Sequence, residues 1–238
     1  MPIRFSNTFI LRKLHQITGI VPLGVFYFVH IYTNSTAMSG ARVFNEHVQD
    51  IHNIPYLLFV EILGIFVPLL YHSVYGIIIS GEAKVNVGHY SYARNWFYLV
   101  QRISGVFLFF FLTFHILNFR FGMIPGLNLT PVAGHADLAF SIVSNEFHND
   151  IIFFVYVLGV VATAWHLAYG IFLFAVDWGI VIGERAQKVA LYACIGFAVF
   201  LGAVGINAAA AFVHKCGLLP AALCEQAEQK EIVAPTRF

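Results

Sequence analysis

The segment PYLLFVEILGIFVPLLYHSVYGIIIS, residues 55–80, indicates the class of this protein. A transmembrane helix needs about 20 mostly apolar residues, and this segment supplies 26, with Glu61 as its one charged side chain. His72 lies deep in the same apolar run. The segment is therefore predicted to cross a bilayer as an α-helix that carries a buried imidazole.

The whole chain has the composition of a membrane protein. Of its 238 residues, 59% are hydrophobic and 11% are charged, whereas soluble domains average about 45–50% and about 25%. A formal net charge of +1 provides no basic face for nucleic acid. The unusual feature is histidine, because 11 of them stand beside 12 acidic residues in a chain that otherwise avoids ionisable groups.

Four further apolar segments accompany the first, which predicts an all-α integral membrane fold with five transmembrane helices. The five spans are 14–37, 55–80, 97–121, 150–176 and 189–213. We expect four helices to form a bundle around the functional site and the fifth to pack at its periphery. Residues 1–213 then form one transmembrane domain, and residues 214–238 form a polar tail.

Lys and Arg residues near the span ends favour a cytoplasmic N-terminus and an extracytoplasmic C-terminus, because cytoplasmic loops carry an excess of both. Eight of these residues fall on the predicted inner side and five on the outer side. Cys216 and Cys224 belong to the outer tail. In an oxidising compartment they are able to form a disulfide, and two free thiols are the alternative.

Short motifs recur in two helical hairpins. Spans two and four contain HxxYG at 72–76 and 166–170, and spans one and three contain Ile-Thr-Gly at 17–19 and Ile-Ser-Gly at 103–105. Gly19 of the first hairpin precedes His30 by eleven residues, and Gly105 of the second precedes His115 by ten. The hairpins of spans 1–2 and 3–4 are therefore predicted to be imperfect copies with parallel topology.

Each of the first four spans carries one deep histidine: His30, His72, His115 and His166. Ionisable residues inside a bilayer are costly to bury and are commonly functional. The alternative for a single imidazole is a structural hydrogen bond to a neighbouring helix. At a rise of about 1.5 Å per residue, each histidine lies about 22–25 Å from the start of its span. Since neighbouring spans run in opposite directions, His30 and His115 share an outer level, and His72 and His166 share an inner level.

Two imidazoles on facing helices fit haem better than zinc or a proton relay. Zinc takes three or four convergent ligands, and a relay would interleave carboxylates, of which Glu61 alone lies deep in a span. Two axial histidines per iron are a known form of haem ligation, and helical bundles build such sites in their cores. We therefore predict two haems b with these four histidines as axial iron ligands. Gly76 and Gly170, one turn after two of them, either admit the flat porphyrin or allow close helix packing.

Further residues are candidates for the surroundings of the haems. Arg102 and His15 lie at the inner ends of their spans and are predicted to contact haem propionates, although an interfacial position explains His15 equally well. Glu61 is either a hydrogen-bonded carboxyl in the bundle or a group that contacts quinone or carries protons near the outer haem. At the outer end the candidate propionate donors are Asn34, Asn118 and Arg120.

Several stretches and their spacing resemble the succinate dehydrogenase cytochrome b subunit in its single-chain, five-helix, two-haem form. They are RKLHQITGIVPLGVFYFVH, PLLYHSVYG, GHYSYARNWFYLVQRISG with the following FHILN, and FAVDWGIVIGERAQK. The resemblance covers roughly residues 8–210. It implies that His72 and His166 hold a proximal haem and that His30 and His115 hold a distal one.

The resemblance also implies the partners and the place of the chain. It would anchor a flavoprotein subunit with FAD and an iron–sulfur subunit to a prokaryotic cytoplasmic membrane, without oxidising succinate itself. Electrons would pass from the iron–sulfur clusters through both haems to menaquinone. In some fumarate-reducing relatives a glutamate two residues before the fourth ligand serves transmembrane proton transfer, and Ala164 at that position favours succinate oxidation here. Association of whole complexes into a homo-oligomer stays open.

Two alternatives remain from the sequence. One is the dihaem anchor of another quinone-linked dehydrogenase, of the hydrogenase or formate dehydrogenase type, which the co-purifying subunits would reveal. The other is a haem-free, proton-coupled transporter that uses its histidines to carry protons, and a purified protein without a Soret band would indicate it.

Overall fold

Five helical spans of this chain are long and apolar enough to cross a membrane. They are Thr8–Ser39, Leu57–Gly81, Ala93–Arg120, Asp150–Asp177 and Glu184–Ala211. The computed structural model describes residues 7–127, 130–214 and 217–218, and the regular structure in these ranges is helical. The predicted all-α fold with five transmembrane helices is confirmed. Cys216, Cys224 and most of the predicted tail lie outside the described residues.

The described helices follow one another in a simple order. The α-helices are α1 (Asn7–Ile20), α2 (Pro22–Ser35), α3 (Ala41–His52), α4 (Leu57–Glu61), α5 (Val67–Gly81), α6 (Ala93–His115), α7 (Ala139–Phe147), α8 (Asp150–Asp177) and α9 (Glu184–Ala211). Short 3-10 turns occupy Thr36–Ser39 and Ala136–Leu138, and π-helical turns occupy Ile62–Phe66 and Ile116–Arg120.

The first span is interrupted between its Ile-Thr-Gly motif and His30. Proline lacks the N–H that a helix interior requires and its ring clashes with the preceding turn, and α1 ends just before Pro22 begins α2. This break lies between Gly19 and His30, which are separated by one residue more than Gly105 and His115 of the uninterrupted α6. The break therefore lies where the first hairpin carries its extra residue.

The fifth span packs on one side of the bundle, against α8 and α2. Its contact face contains small residues, among them Gly202 and Gly205, and small residues allow helix backbones to approach closely in a membrane. A Cβ added at Gly205 would lie 2.6 Å from Cγ1 of Val160, and one added at Gly202 would lie 3.9 Å from Cβ of Ala164. The predicted peripheral helix is thus joined to the bundle by a close-packed contact.

We expect Gly205→Val to lower the thermal stability of the purified protein, because the added carbons have no room beside Val160. Overpacking of this kind costs about 1–3 kcal/mol. Gly196→Val in the same helix is the matched control, since no atom lies within 4 Å of a Cβ added there. The measurement is the melting temperature in detergent, and equal melting temperatures for the two variants would contradict the described packing of α9.

One end of the bundle is covered by short helices that lie between the predicted spans. Phe44 and Val48 lie one turn apart on the amphipathic α3, and they form a common core with Val143 and Phe147 of α7. Phe212, just after α9, joins the same core. We call this the cap end, and we call the opposite end, with the connections 82–92 and 178–183, the open end.

Candidate functional site

The four deep histidines meet in two pairs inside the bundle. The ring centroids of His30 and His115 are 5.7 Å apart, with the ring planes at 85°. Those of His72 and His166 are 6.2 Å apart, with the planes at 87°. The chain directions place the first pair toward the cap end and the second toward the open end. These are the two pairs that the depth estimate predicts.

The open-end pair is held by the backbone of the neighbouring helix. Nδ1 of His72 donates a hydrogen bond to the carbonyl oxygen of His15 at 2.8 Å. Nδ1 of His166 lies 3.2 Å from the carbonyl oxygen of Gln101 and 3.2 Å from Oγ of Ser104. A hydrogen bond at Nδ1 fixes the tautomer and leaves Nε2 as the ligating nitrogen, as is usual for histidines that bind metals.

The spacing of both pairs fits one metal ion between two imidazoles. Since metal–imidazole bonds are about 2.0–2.1 Å long, two imidazoles on opposite sides of one ion have ring centroids about 6 Å apart. Both pairs lie close to that separation. In the described part of the chain, no group of three or more His, Cys, Asp or Glu side chains is arranged to hold a metal ion. The separation of the two imidazoles in each pair suits a metal held by two protein ligands, as in a bis-histidine haem.

The cap-end pair lies among aromatic side chains. The ring centroids of Phe119 and Tyr156 lie 5.6 Å and 5.7 Å from that of His115, and Phe26 lies 5.4 Å from His30. Nδ1 of His115 is buried and has no hydrogen-bond partner among the described residues. Flat apolar walls of this kind suit a large aromatic cofactor, and the two pairs differ in how their Nδ1 atoms are held.

Asn118, a predicted propionate donor, is hydrogen-bonded within the protein to a buried carboxylate beside the cap-end pair. The side-chain amide of Asn118, which is 1% exposed, donates to the carboxylate of Glu146 in α7, which is 5% exposed. Glu146 lies between the predicted spans 97–121 and 150–176, and the sequence gave it no role. The spacing in AFSIVSNEF could have indicated its burial, because Glu146 follows the buried Ile142 and Val143 by one helical turn and so lies on the same helix face.

Arg102 and His15 are both engaged within the protein. The Arg102 guanidinium donates to the carbonyl oxygens of Ile79 at 2.7 Å and Ser80 at 3.2 Å, at the end of α5, and also to the Tyr98 hydroxyl. The His15 ring is stacked on the His72 ring. Among the described residues, Nε of Arg102 and Nδ1 of His15 lack a hydrogen-bond partner. Both atoms are buried, and the propionate contacts of Arg102 and His15 stay a prediction.

Gly76 and Gly170 lie against side chains of the opposite helix of their hairpin. A Cβ added at Gly76 would lie 3.1 Å from Cε1 of His15, and one added at Gly170 would lie 3.5 Å from Nε2 of Gln101. Of the two predicted roles, this geometry favours close helix packing.

Glu61 has a partner that the sequence analysis did not assign to it. Arg120 forms a bidentate ion pair with it, with Nη2–Oε2 at 2.7 Å and Nε–Oε1 at 3.2 Å. Both residues line a polar pocket of about 340 Å³ at the cap end, together with Gln49, His52, Leu57, Ala133, Gly134, Ala136 and Asp137. Burial, with the nearby positive charge of Arg120, lowers the pKa of His52, while Glu61 acts in the opposite direction. The pocket thus combines charged and neutral hydrogen-bonding groups.

The chain matches a known family of membrane subunits. Residues 83–205 match the family described as succinate dehydrogenase/fumarate reductase transmembrane subunit. The chain is also 35% identical over 208 residues to the succinate dehydrogenase cytochrome b558 subunit of Bacillus subtilis (strain 168), an alignment that covers 87% of this chain and 98% of that protein.

The chain therefore belongs to the succinate dehydrogenase/fumarate reductase transmembrane subunit family. The prediction of a membrane cytochrome b anchor of succinate dehydrogenase is confirmed, and so is its place as a multi-pass membrane subunit of that enzyme. The comparisons do not favour the alternative anchors of hydrogenase or formate dehydrogenase type, or the haem-free transporter.

Proposed function

We propose that this chain holds two haems b and carries electrons through them from an iron–sulfur subunit to menaquinone. His30 and His115 would ligate the cap-end haem, and His72 and His166 the open-end haem. The observation that carries the proposal is the meeting of four span histidines in two pairs with ring centroids about 6 Å apart. A cytochrome b subunit implies haem, and the paired arrangement supports two of them.

A bis-histidine haem supplies one-electron transfer, because both axial positions of the iron are taken by protein ligands. The protein's own contribution is to fix the imidazoles. At the open end, backbone carbonyls hold the Nδ1 atoms of His72 and His166. At the cap end, aromatic side chains surround His115 and keep water away from its ring.

We infer that the polar pocket at the cap end receives the quinone head group. Arg120, Gln49 and His52 offer hydrogen-bond donors in it, and quinone reduction needs such groups at the two carbonyl oxygens. Leu58 and Leu63, on either side of Glu61 in sequence, are 58% and 67% exposed, so that an apolar tail is able to lie in the bilayer beside them. In this proposal, Glu61 orients the Arg120 guanidinium and exchanges protons with the quinone site.

We propose that the open end faces the cytoplasm and the iron–sulfur subunit, with a flavoprotein subunit carrying FAD beyond it, in a prokaryotic cytoplasmic membrane. Seven of the nine described Lys and Arg residues lie at or near the open end, and Arg42 and Arg120 lie at the cap end. The excess of positive charge on cytoplasmic loops supports this orientation. The proposed electron path then runs from the open-end pair to the cap-end pair.

We propose succinate oxidation as the direction of turnover. Ala164 stands where some fumarate-reducing relatives have a proton-carrying glutamate, and it is 2% exposed, with Gly202 of α9 close to it. The methyl side chain of Ala164 has no acidic proton to transfer. No transmembrane proton path through it is therefore proposed.

The haem content of the purified complex tests the proposal. We expect two haems b per copy of this chain by the pyridine haemochromogen assay, and two steps in a redox titration of the absorbance. The partner subunits, quantified in the same preparation, provide the reference for the stoichiometry. A fully assembled complex with one haem or none per chain would contradict the two-haem proposal.

A further inference from the structure

His15 contacts the open-end histidine His72 through both its backbone and its ring. Its carbonyl oxygen accepts the hydrogen bond from Nδ1 of His72 at 2.8 Å. Its imidazole is stacked on that of His72, with centroids 4.0 Å apart and planes 11° apart. His15 therefore fixes the direction of the Nδ1–H group and also covers one face of the ring.

Gln101 contacts His166 in a similar way in the second hairpin. Its carbonyl oxygen lies 3.2 Å from Nδ1 of His166, and its side-chain amide donates to the carbonyl oxygen of His166 at 2.9 Å. His15 and Gln101 each stand four residues before the glycine of the Ile-Thr/Ser-Gly motif. They are thus equivalent positions of the internal repeat, occupied by different side chains.

The glycines of the repeat complete the same arrangement in both hairpins. A Cβ added at Gly19 would lie 2.5 Å from Cε1 of His72, and one added at Gly105 would lie 2.9 Å from Cε1 of His166. The side chain of His15 packs against Gly76, which is on the same helix as His72. The side chain of Gln101 packs against Gly170, which is on the same helix as His166. Each open-end imidazole is therefore confined between a glycine and one polar residue of the neighbouring helix.

We propose that His15 and Gln101 are equivalent positioning residues for the two ligands of the open-end haem, an inference that rests on the proposed ligand roles of His72 and His166. Each carbonyl fixes the Nδ1–H of one ligand, which raises the basicity of its Nε2. Each side chain also contacts the ligand residue itself, His15 by stacking on the His72 ring and Gln101 by its amide hydrogen bond to the carbonyl oxygen of His166. Because the two positions are equivalent, we expect a glutamine at position 15 to donate the corresponding hydrogen bond to the carbonyl oxygen of His72.

The test compares His15→Ala and His15→Gln in the complete complex by redox titration and by electron paramagnetic resonance of the oxidised haems. We expect His15→Ala to change the oxidised/reduced equilibrium of the open-end haem about tenfold, which is about 59 mV for a one-electron couple, and to shift its low-spin signal. The cap-end haem should keep its potential. His15→Gln should restore both properties to near wild-type values, and His148→Ala, at an exposed histidine of the cap end, is the control.

The outcomes separate this inference from the proposed function. If His15→Ala keeps both haems with unchanged potential and signal, or if His15→Gln shifts them as far as His15→Ala does, the positioning role is wrong. If the His15→Ala complex does not assemble, His15→Gln decides alone. A changed redox potential or low-spin signal of the open-end haem in His15→Gln would overturn the equivalence, and unchanged values would support it. If His72→Ala retains two haems, the ligand assignment itself is wrong.

Discussion

His72→Ala is expected to leave one haem per chain instead of two. The imidazole is one of two ligands of the proposed open-end haem, and its partner His166 would then be the only protein ligand there. The cap-end pair is formed by residues of α2 and α6 and does not include His72. The complex should therefore keep the cap-end haem, and electron transfer from succinate to quinone should be largely lost.

The measurement is the reduced-minus-oxidised spectrum together with the haem content of the purified complex. His30→Ala provides the reciprocal experiment, because it should remove the cap-end haem and leave the open-end one. The spectra of the two single-haem complexes should add up to the wild-type spectrum, and each complex should titrate in one step near one of the two wild-type potentials. His148→Ala should retain both haems, since its side chain is exposed and belongs to neither pair. Retention of both haems by His72→Ala and His30→Ala would show that the ligand assignment is wrong.

Arg120→Leu is expected to lower the quinone reductase activity of the complex by about 10- to 100-fold. Removing a hydrogen bond to a charged group costs about 1.5–3 kcal/mol, and each 1.4 kcal/mol is about a factor of ten. Glu61 would also lose its bidentate partner in a pocket where its side chain is 16% exposed. Glu61→Gln, which keeps the shape and removes the charge, should lower the activity as well, but less.

The readout must separate the quinone step from everything before it. Succinate oxidation by a dye that takes electrons from the partner subunits should be unchanged in both variants, and both haems should remain. Arg42→Gln is the matched control, because Arg42 forms an exposed ion pair with Glu46 at the same end of the bundle. Unchanged quinone turnover in Glu61→Gln and Arg120→Leu would rule out this pocket as the quinone site.

The spans and the pairing of their histidines could be predicted because the bilayer imposes simple rules. A helix in lipid must be apolar over about 20 residues, and its rise per residue converts sequence position into depth. His72 and His166 are 94 residues apart, yet their depths agree because both helices start at the same end. The helices of the cap end could not be predicted because α3 and α7 are short. Their apolar residues form a core only when the two helices pack against each other.

The sequence by itself determined that the chain crosses the membrane five times and carries one deep histidine on each of four spans. Tertiary structure alone decided which atoms hold those histidines. The decisive contacts all join different helices. They are the hydrogen bonds to the carbonyls of His15 and Gln101, the packing of glycines beside the rings, the ion pair of Glu61 with Arg120 and the hydrogen bond of Asn118 to the buried Glu146. Hydropathy reports how deep a residue lies, whereas side-chain partners depend on the rotation and spacing of packed helices, which no single segment contains.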